Sequence, residues 1–158
     1  MPTWKVAYFN PPGPRSQFMI DEAPPEVELV VVDPALSDED KAPLLKDVDA
    51  IISNDVSVDL LKQAPHVKLI QTLSAGYDRL DLESIGELGI PVANNGGANA
   101  IAVSEHTLAM MISLSGNLWH QYDTTMRQRT WRKGLEGYRV CEITDKTVGI
   151  VGLGRVGK

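Results

Sequence analysis

The chain has 158 residues, enough for one well-buried core or for one domain plus part of another. Its 21 acidic and 15 basic residues leave a formal net charge of −6, which argues against nucleic acid or an anionic membrane as a partner, because phosphate recognition needs clustered Lys and Arg. The start "MPTWKVAYFN" lacks the charged head and long apolar stretch of a secretory signal, and residues 108–118 are interrupted by Ser113, Ser115, Gly116 and Asn117, so no membrane span is predicted and a cytoplasmic location is expected.

Five short runs rich in β-branched or apolar residues follow one another at intervals of roughly twenty residues: Lys5 to Phe9, Val27 to Val32, Ala50 to Ser53, Lys68 to Leu73 and Ile90 to Ala93. That interval accommodates a crossover helix and two loops. "VELVVVD" is continuously apolar, as a parallel strand covered on both faces should be. The expectation is an α/β fold of repeated β-α units around a parallel sheet.

Between the runs lie helix signals. Ser37 can cap "SDEDKAPLLKDV", Ser57 can cap "SVDLLKQA", and Asp81 can cap "DLESIGELG", where Gly89 supplies the stop. The first connection, "NPPGPRSQFMIDEAPPE", holds too much Pro and Gly for more than one short helix. After Gly96 and Gly97, Asn99 can cap a helix from Ala100 past Trp119. Its apolar residues, from Ile101 through Leu108, Met111 and Leu114 to Trp119, occupy most of its circumference, so it must be covered by a second domain, a second subunit or both. The basic group Arg127, Arg129, Arg132 and Lys133 reads as a solvated helix end and loop.

A sixth β run, Thr147 to Val151, leads into Gly152, Gly154 and Gly157, which satisfy G-x-G-x-x-G. The first glycine permits the tight turn, the second lets a pyrophosphate approach the backbone, and the third allows close packing. The alternative is a plain glycine turn at a strand end. The acidic or basic residue that separates NAD from NADP, expected about twenty positions further on, is not in these 158 residues.

Two other stretches bear on chemistry. In "QTLSAGYDRLD" a strand ends in small residues, Ser74, Ala75 and Gly76, whose amides can point into a cleft at the carboxyl edge of the sheet and receive an anion; a simple tight turn is the other reading. In "VSEHTLAMM", Glu105 and His106 are adjacent and diverge around the helix, which suits neither a shared metal nor an acid–base pair. His66, His106, His120 and Cys141 share no ligand-like spacing, so no metal site is expected, and Cys141 reads as a structural thiol.

Three stretches in order, "LSAGYDRLD", "NNGGANAIAVSEHTLAMMISL" and "KTVGIVGLGRVGK", together resemble the D-isomer-specific 2-hydroxyacid dehydrogenases, which include glyoxylate, hydroxypyruvate, phosphoglycerate, D-lactate, formate and phosphite dehydrogenases. The resemblance implies a flavodoxin-like, parallel-sheet substrate domain at 1–99, without its C-terminal closing segment. It implies at 100–158 an interdomain helix and the start, truncated, of a Rossmann NAD(P)-binding domain. It further implies that Ala75 and Gly76 hold the substrate carboxylate, that Thr107 approaches the cofactor, and that Gly152, Gly154, Arg155, Val156 and Gly157 line its pyrophosphate. The family's catalytic Arg, Glu and His correspond to positions past Lys158, and none of the three histidines here matches them. By resemblance, the whole protein uses NAD or NADP on a small 2-hydroxy or 2-oxo acid, dimerises through the helix at 100–119, and has its missing part on the same or a second chain. The isolated chain is expected to be inactive. A non-enzymatic alternative is a dimerising regulatory module, as in the corepressors of the same family.

Overall fold

In the computed structural model, residues 3–130 and 139–158 are described. Arg132 and Lys133 of the basic group lie outside them. The chain divides into two compact units, Met1–Gly96 and Gly97–Lys158.

The first unit is a five-stranded, wholly parallel sheet: β1 (Trp4–Phe9), β2 (Val27–Val32), β3 (Ala50–Ile52), β4 (Leu69–Gln71) and β5 (Val92–Ala93), in the order β2-β1-β3-β4-β5. That is the flavodoxin-like order, in which the direction of winding switches between β1 and β3. Register places Ala7 beside Val30 and Ile51, Ile51 beside Ile70, and Ile70 beside Val92. Ala7, Ile51 and Ile70 are fully buried in a core with Leu45, Val48, Leu60 and Ile85. Each buried Val, Leu or Ile among them contributes roughly 1.5–3 kcal/mol of transfer free energy. The opposite sheet face, carrying Leu29, Val31, Ile52 and Leu69, is half-buried, and there the fully buried Tyr8 has a hydroxyl with no hydrogen-bond partner among the described residues.

The connections obey the capping chemistry. α1 (Pro14–Asp21) starts on a proline, whose missing N–H costs nothing in a first turn. α2 (Asp38–Lys41) is capped by Ser37, whose hydroxyl accepts from the Asp40 amide, and Pro43 then turns the chain into a 3-10 segment, Ala42–Leu45, because it cannot donate to an α-helical acceptor. Ser57 caps α3 (Val58–Leu61), accepting from the Leu60 amide at 3.1 Å. Asp81 caps α4 (Leu82–Glu87), accepting from the Ser84 amide at 3.1 Å. That helix ends in a Schellman turn: Gly89, at φ +73°, donates to the Gly86 carbonyl and Ile90 to that of Ile85.

At the amino edge of the sheet, Lys5 Nζ lies 2.7 Å from Asp47 and 3.9 Å from Glu28, and Lys68 Nζ lies 2.9 Å from Asp49. The Asp49 carboxylate also accepts from the Lys5 amide at 3.1 Å. The Lys5 ammonium holds the Asp47 carboxyl below its ordinary range, and the Lys5 amide, followed by Lys68, does the same for Asp49.

The second unit departs from expectation in three places. The predicted helix breaks: α5 (Ala100–Ser115) ends at Gly116, and Asn117, at φ +50°, turns the chain into α6 (Leu118–Tyr122) and a π turn, Asp123–Arg127. Asn99 occupies the N-cap position of α5, but its side chain makes no capping bond. The sixth β run, Thr147 to Val151, pairs with no strand among the described residues, and Val148, Ile150 and Val151 are exposed. A parallel strand exists only through its neighbours, and the described residues of this unit supply none. Cys141 is exposed, its amide bonded to the Ser115 carbonyl at 2.8 Å.

Candidate functional site

The turn that follows β4 carries the first candidate site. Its carbonyls are all engaged. That of Ser74 accepts from the buried Thr72 hydroxyl at 2.7 Å and from the Asn95 amide at 3.0 Å; that of Ala75 accepts from Asn94 Nδ2 at 2.8 Å; that of Gly76 faces the Ser74 hydroxyl at 2.7 Å. Asn54 Oδ1 accepts from the Leu73 amide at 3.0 Å and lies 3.2 Å from Ser74 Oγ. By contrast, the amides of Ser74, Ala75, Gly76 and Tyr77 meet no acceptor among the described residues. The turn thus keeps spare donors and no spare acceptor carbonyl, which is the polarity an incoming anion requires.

Asn54, Ser74, Gly76, Asp78 and Arg79 line a cavity of about 310 Å³. A Cβ on Gly76 would come within 3.2 Å of Asp78 Oδ2, so the glycine keeps this floor low. The general rule for open parallel sheets favours the crevice at the switch point, between β1 and β3. There the structure has a smaller cavity of about 190 Å³, lined by Asp38 and Lys41, which pair with each other at 3.4 Å, and by Asp55. Two carboxylates there suit an anion poorly, and the candidate is therefore the turn after β4, on the same carboxyl edge.

The Gly-rich segment of the second unit is the other candidate. Gly152 has φ +93°, a conformation that other residues rarely adopt. A Cβ on Gly157 would overlap the Gly152 carbonyl oxygen, whereas one on Gly154 would meet nothing within 4 Å. The three glycines therefore divide into a turn former, an open approach and a close contact. The helix that should follow is a single turn, with the Lys158 amide donating to the Gly154 carbonyl at 3.2 Å. Thr107, Gly152, Arg155, Val156 and Gly157 border one cavity of about 730 Å³; Gly154 does not. The Thr107 hydroxyl donates to the Val103 carbonyl at 2.8 Å, leaving its lone pairs open. Arg155 lies across Gly97, which has φ +87° and no room for a Cβ.

Asn54 and Asn94 are not legible as site residues: they meet the turn from 19 or 20 positions away, and only the "NN" pair preceding Gly96 offers a signal, whereas Arg79 lies within the turn's own stretch. The histidines contribute to neither candidate cavity, and no group of three or more His, Cys, Asp or Glu suited to a metal occurs among the described residues. No helix among the described residues is long and apolar enough to cross a membrane.

The sequence profile of the catalytic domain of the D-isomer specific 2-hydroxyacid dehydrogenases matches residues 6–151. The D-3-phosphoglycerate dehydrogenase of Methanocaldococcus jannaschii is 32% identical over 137 residues, covering 84% of this chain and 25% of that protein. Among solved structures, the NAD+-bound 3-phosphoglycerate dehydrogenase of Entamoeba histolytica superposes with a TM-score of 0.66 at 29% identity, over 98% of this chain and 48% of that one. The NADPH-dependent glyoxylate/hydroxypyruvate reductase of Sinorhizobium meliloti, crystallised with citrate, gives 0.73 at 25% identity, over 99% and 48%. The chain therefore spans a quarter of the first relative and about half of the other two.

Proposed function

This chain belongs to the D-isomer-specific 2-hydroxyacid dehydrogenases, and from that premise we propose that it is the substrate-holding and cofactor-opening portion of an NAD(P)-dependent oxidoreductase that moves a hydride between nicotinamide and C2 of a small 2-hydroxy or 2-oxo acid. The observation that carries the substrate half is the turn whose carbonyls are hydrogen-bonded within the unit while the Ala75 and Gly76 amides meet no acceptor among the described residues. Those amides receive the acid's carboxylate and set C2 at a fixed height above the carboxyl edge of the sheet. In this reading residues 1–99 are the substrate domain and 100–158 open the dinucleotide domain.

The glycine geometry fits a dinucleotide pyrophosphate, since Gly154 leaves its backbone open to close approach and Gly152 makes the turn. Gly152, Gly154, Arg155, Val156 and Gly157 would hold the pyrophosphate, with Thr107 bordering the same cavity. The bound nicotinamide would supply the hydride chemistry, while this chain orients the acid. The family's catalytic Arg, Glu and His correspond to positions past Lys158, so the 158 residues alone are expected not to turn over.

The test is an assay paired with a mass. Polypeptide isolated from its source and about twice this length, as the solved relatives are, is expected to oxidise NADH or NADPH with glyoxylate or hydroxypyruvate. Failure of that longer polypeptide with small 2-oxo acids overturns the enzyme reading. Turnover by mass-verified 158-residue chain overturns the expectation of inactivity.

A second reading, a dimerising binding module, is favoured by the bare second unit. Ile101, Leu114 and Trp119 are 76%, 78% and 72% exposed. Met111 borders the cavity beside Gly152, so the pair presented together on one outer face of α5 is Met110 and Leu114. Replacing both with Asp should convert a sedimenting dimer to monomer; an unchanged profile removes this reading.

A further inference from the structure

We propose that Asn94 is a positioning residue that aims the Gly76 amide, with Asn54 steadying the turn from the other side. The proposal rests on the reading of Ala75 and Gly76 as the carboxylate site. The argument comes from the peptide plane. In a trans peptide the carbonyl of one residue and the N–H of the next point in opposite directions. Drawing the Ala75 carbonyl toward Asn94 Nδ2, at 2.8 Å, therefore drives the Gly76 N–H the other way. The Ser74 carbonyl, held by Thr72 and the Asn95 amide, does the same for the Ala75 N–H.

The two asparagines reach the turn from the strands that flank β4. Asn54 follows β3 and Asn94 follows β5, and in the sheet β4 lies between those two strands. They use opposite ends of the same amide group. Asn54 offers its oxygen to the Leu73 N–H, whereas Asn94 offers its nitrogen to the Ala75 carbonyl, and both backbone partners have fixed polarity, so neither side chain can be reversed without loss. Without these bonds the peptide at Ala75–Gly76 is free to rotate its amide away from the cavity. The affinity for an anion then includes the cost of restoring that orientation.

The opposite polarity gives the test. Asn54→Asp and Asn94→Asp are isosteric and add the same charge, but the first keeps an acceptor for Leu73 whereas the second puts an acceptor against the Ala75 carbonyl. The 15N-labelled chain is titrated with oxalate at pH 7, against sodium chloride at matched ionic strength, and the Ala75 and Gly76 amide resonances are followed. The wild-type amides are expected to move saturably, and Asn94→Asp to bind oxalate about tenfold more weakly than Asn54→Asp, the ratio that one ordinary hydrogen bond supports. Uncharged Asn94→Ala should weaken binding roughly fivefold against wild type. Equal affinity in the two Asp variants, with Asn94→Ala like wild type, overturns the positioning role and leaves the carboxylate site standing. Wild-type amides that respond no more to oxalate than to chloride overturn the site, and the role of Asn94 with it.

Discussion

"VELVVV" at 27–32 and "KTVGIV" at 146–151 are both largely apolar and β-branched, yet only the first is a strand. β2 lies against β1 over six paired residues; 146–151 pairs with no strand among the described residues and leaves Val148, Ile150 and Val151 exposed. The same contrast separates the helices. Leu60 and Ile85, on the short α3 and α4, are buried, while the sixteen-residue α5 exposes Ile101, Leu108, Met110, Ile112 and Leu114. Composition therefore states how much apolar surface an element needs to hide, and neighbours decide whether it is hidden.

The sharpest way to break this comparison is a pair of truncations. Ile70→Ala, in the fully buried centre of β4, should cost about 2–5 kcal/mol in urea unfolding, because it removes transfer energy and leaves a cavity. Leu114→Ala, on the exposed face of α5, should stay within about 0.5 kcal/mol in dilute solution. Equal losses would show that the two units are not different in kind. A loss at Leu114 that grows with protein concentration would instead report a partner copy.

Caps sharpen the contrast at a smaller scale. Ser57→Ala removes an acceptor from the Leu60 amide and should cost about 1 kcal/mol. Asn99→Ala, where the side chain makes no capping bond, should be neutral to within about 0.5 kcal/mol. Thermal unfolding of both variants measures the difference.

The smallest effect belongs to pH. Asp47 and Asp49 have carboxyls held below the ordinary 3.8 by hydrogen bonds from the Lys5 ammonium and the Lys5 amide respectively. A depressed carboxylate pKa stabilises the fold above the unfolded value, and that contribution is lost as pH falls through the folded value. The melting temperature should therefore drop as pH falls below 3.8, and Asp49→Asn should flatten part of that drop. A melting curve that declines identically in the variant would assign the acid sensitivity elsewhere.

Much of the first unit was legible because its signals are local. The periodic apolar runs located all five strands, and Ser37, Ser57 and Asp81 cap where their spacing placed them. What failed depended on context. The all-round apolarity of 100–119 hid the Gly116–Asn117 break, and the apolar run at 147–151 could not reveal that no strand would lie beside it. Half of the candidate turn was readable as small residues. The other half, the asparagines that aim it, was not, since side chains of β3 and β5 loops meet there only after the sheet has formed.

The strand order also ranks the loop closures that folding requires. Trp4–Val27, Ala50–Leu69 and Ile70–Val92 pair across similar lengths of chain, whereas Val6 must find Ala50 across about twice that length, which adds about 0.6 kcal/mol of loop-closure entropy. Loop closure thus favours two half-sheets, β1–β2 and β3–β4–β5, that form separately and join at the β1–β3 seam. The turn bearing Ala75 and Gly76 belongs wholly to the second half, so its braces from Asn54 and Asn94 can close before that seam does.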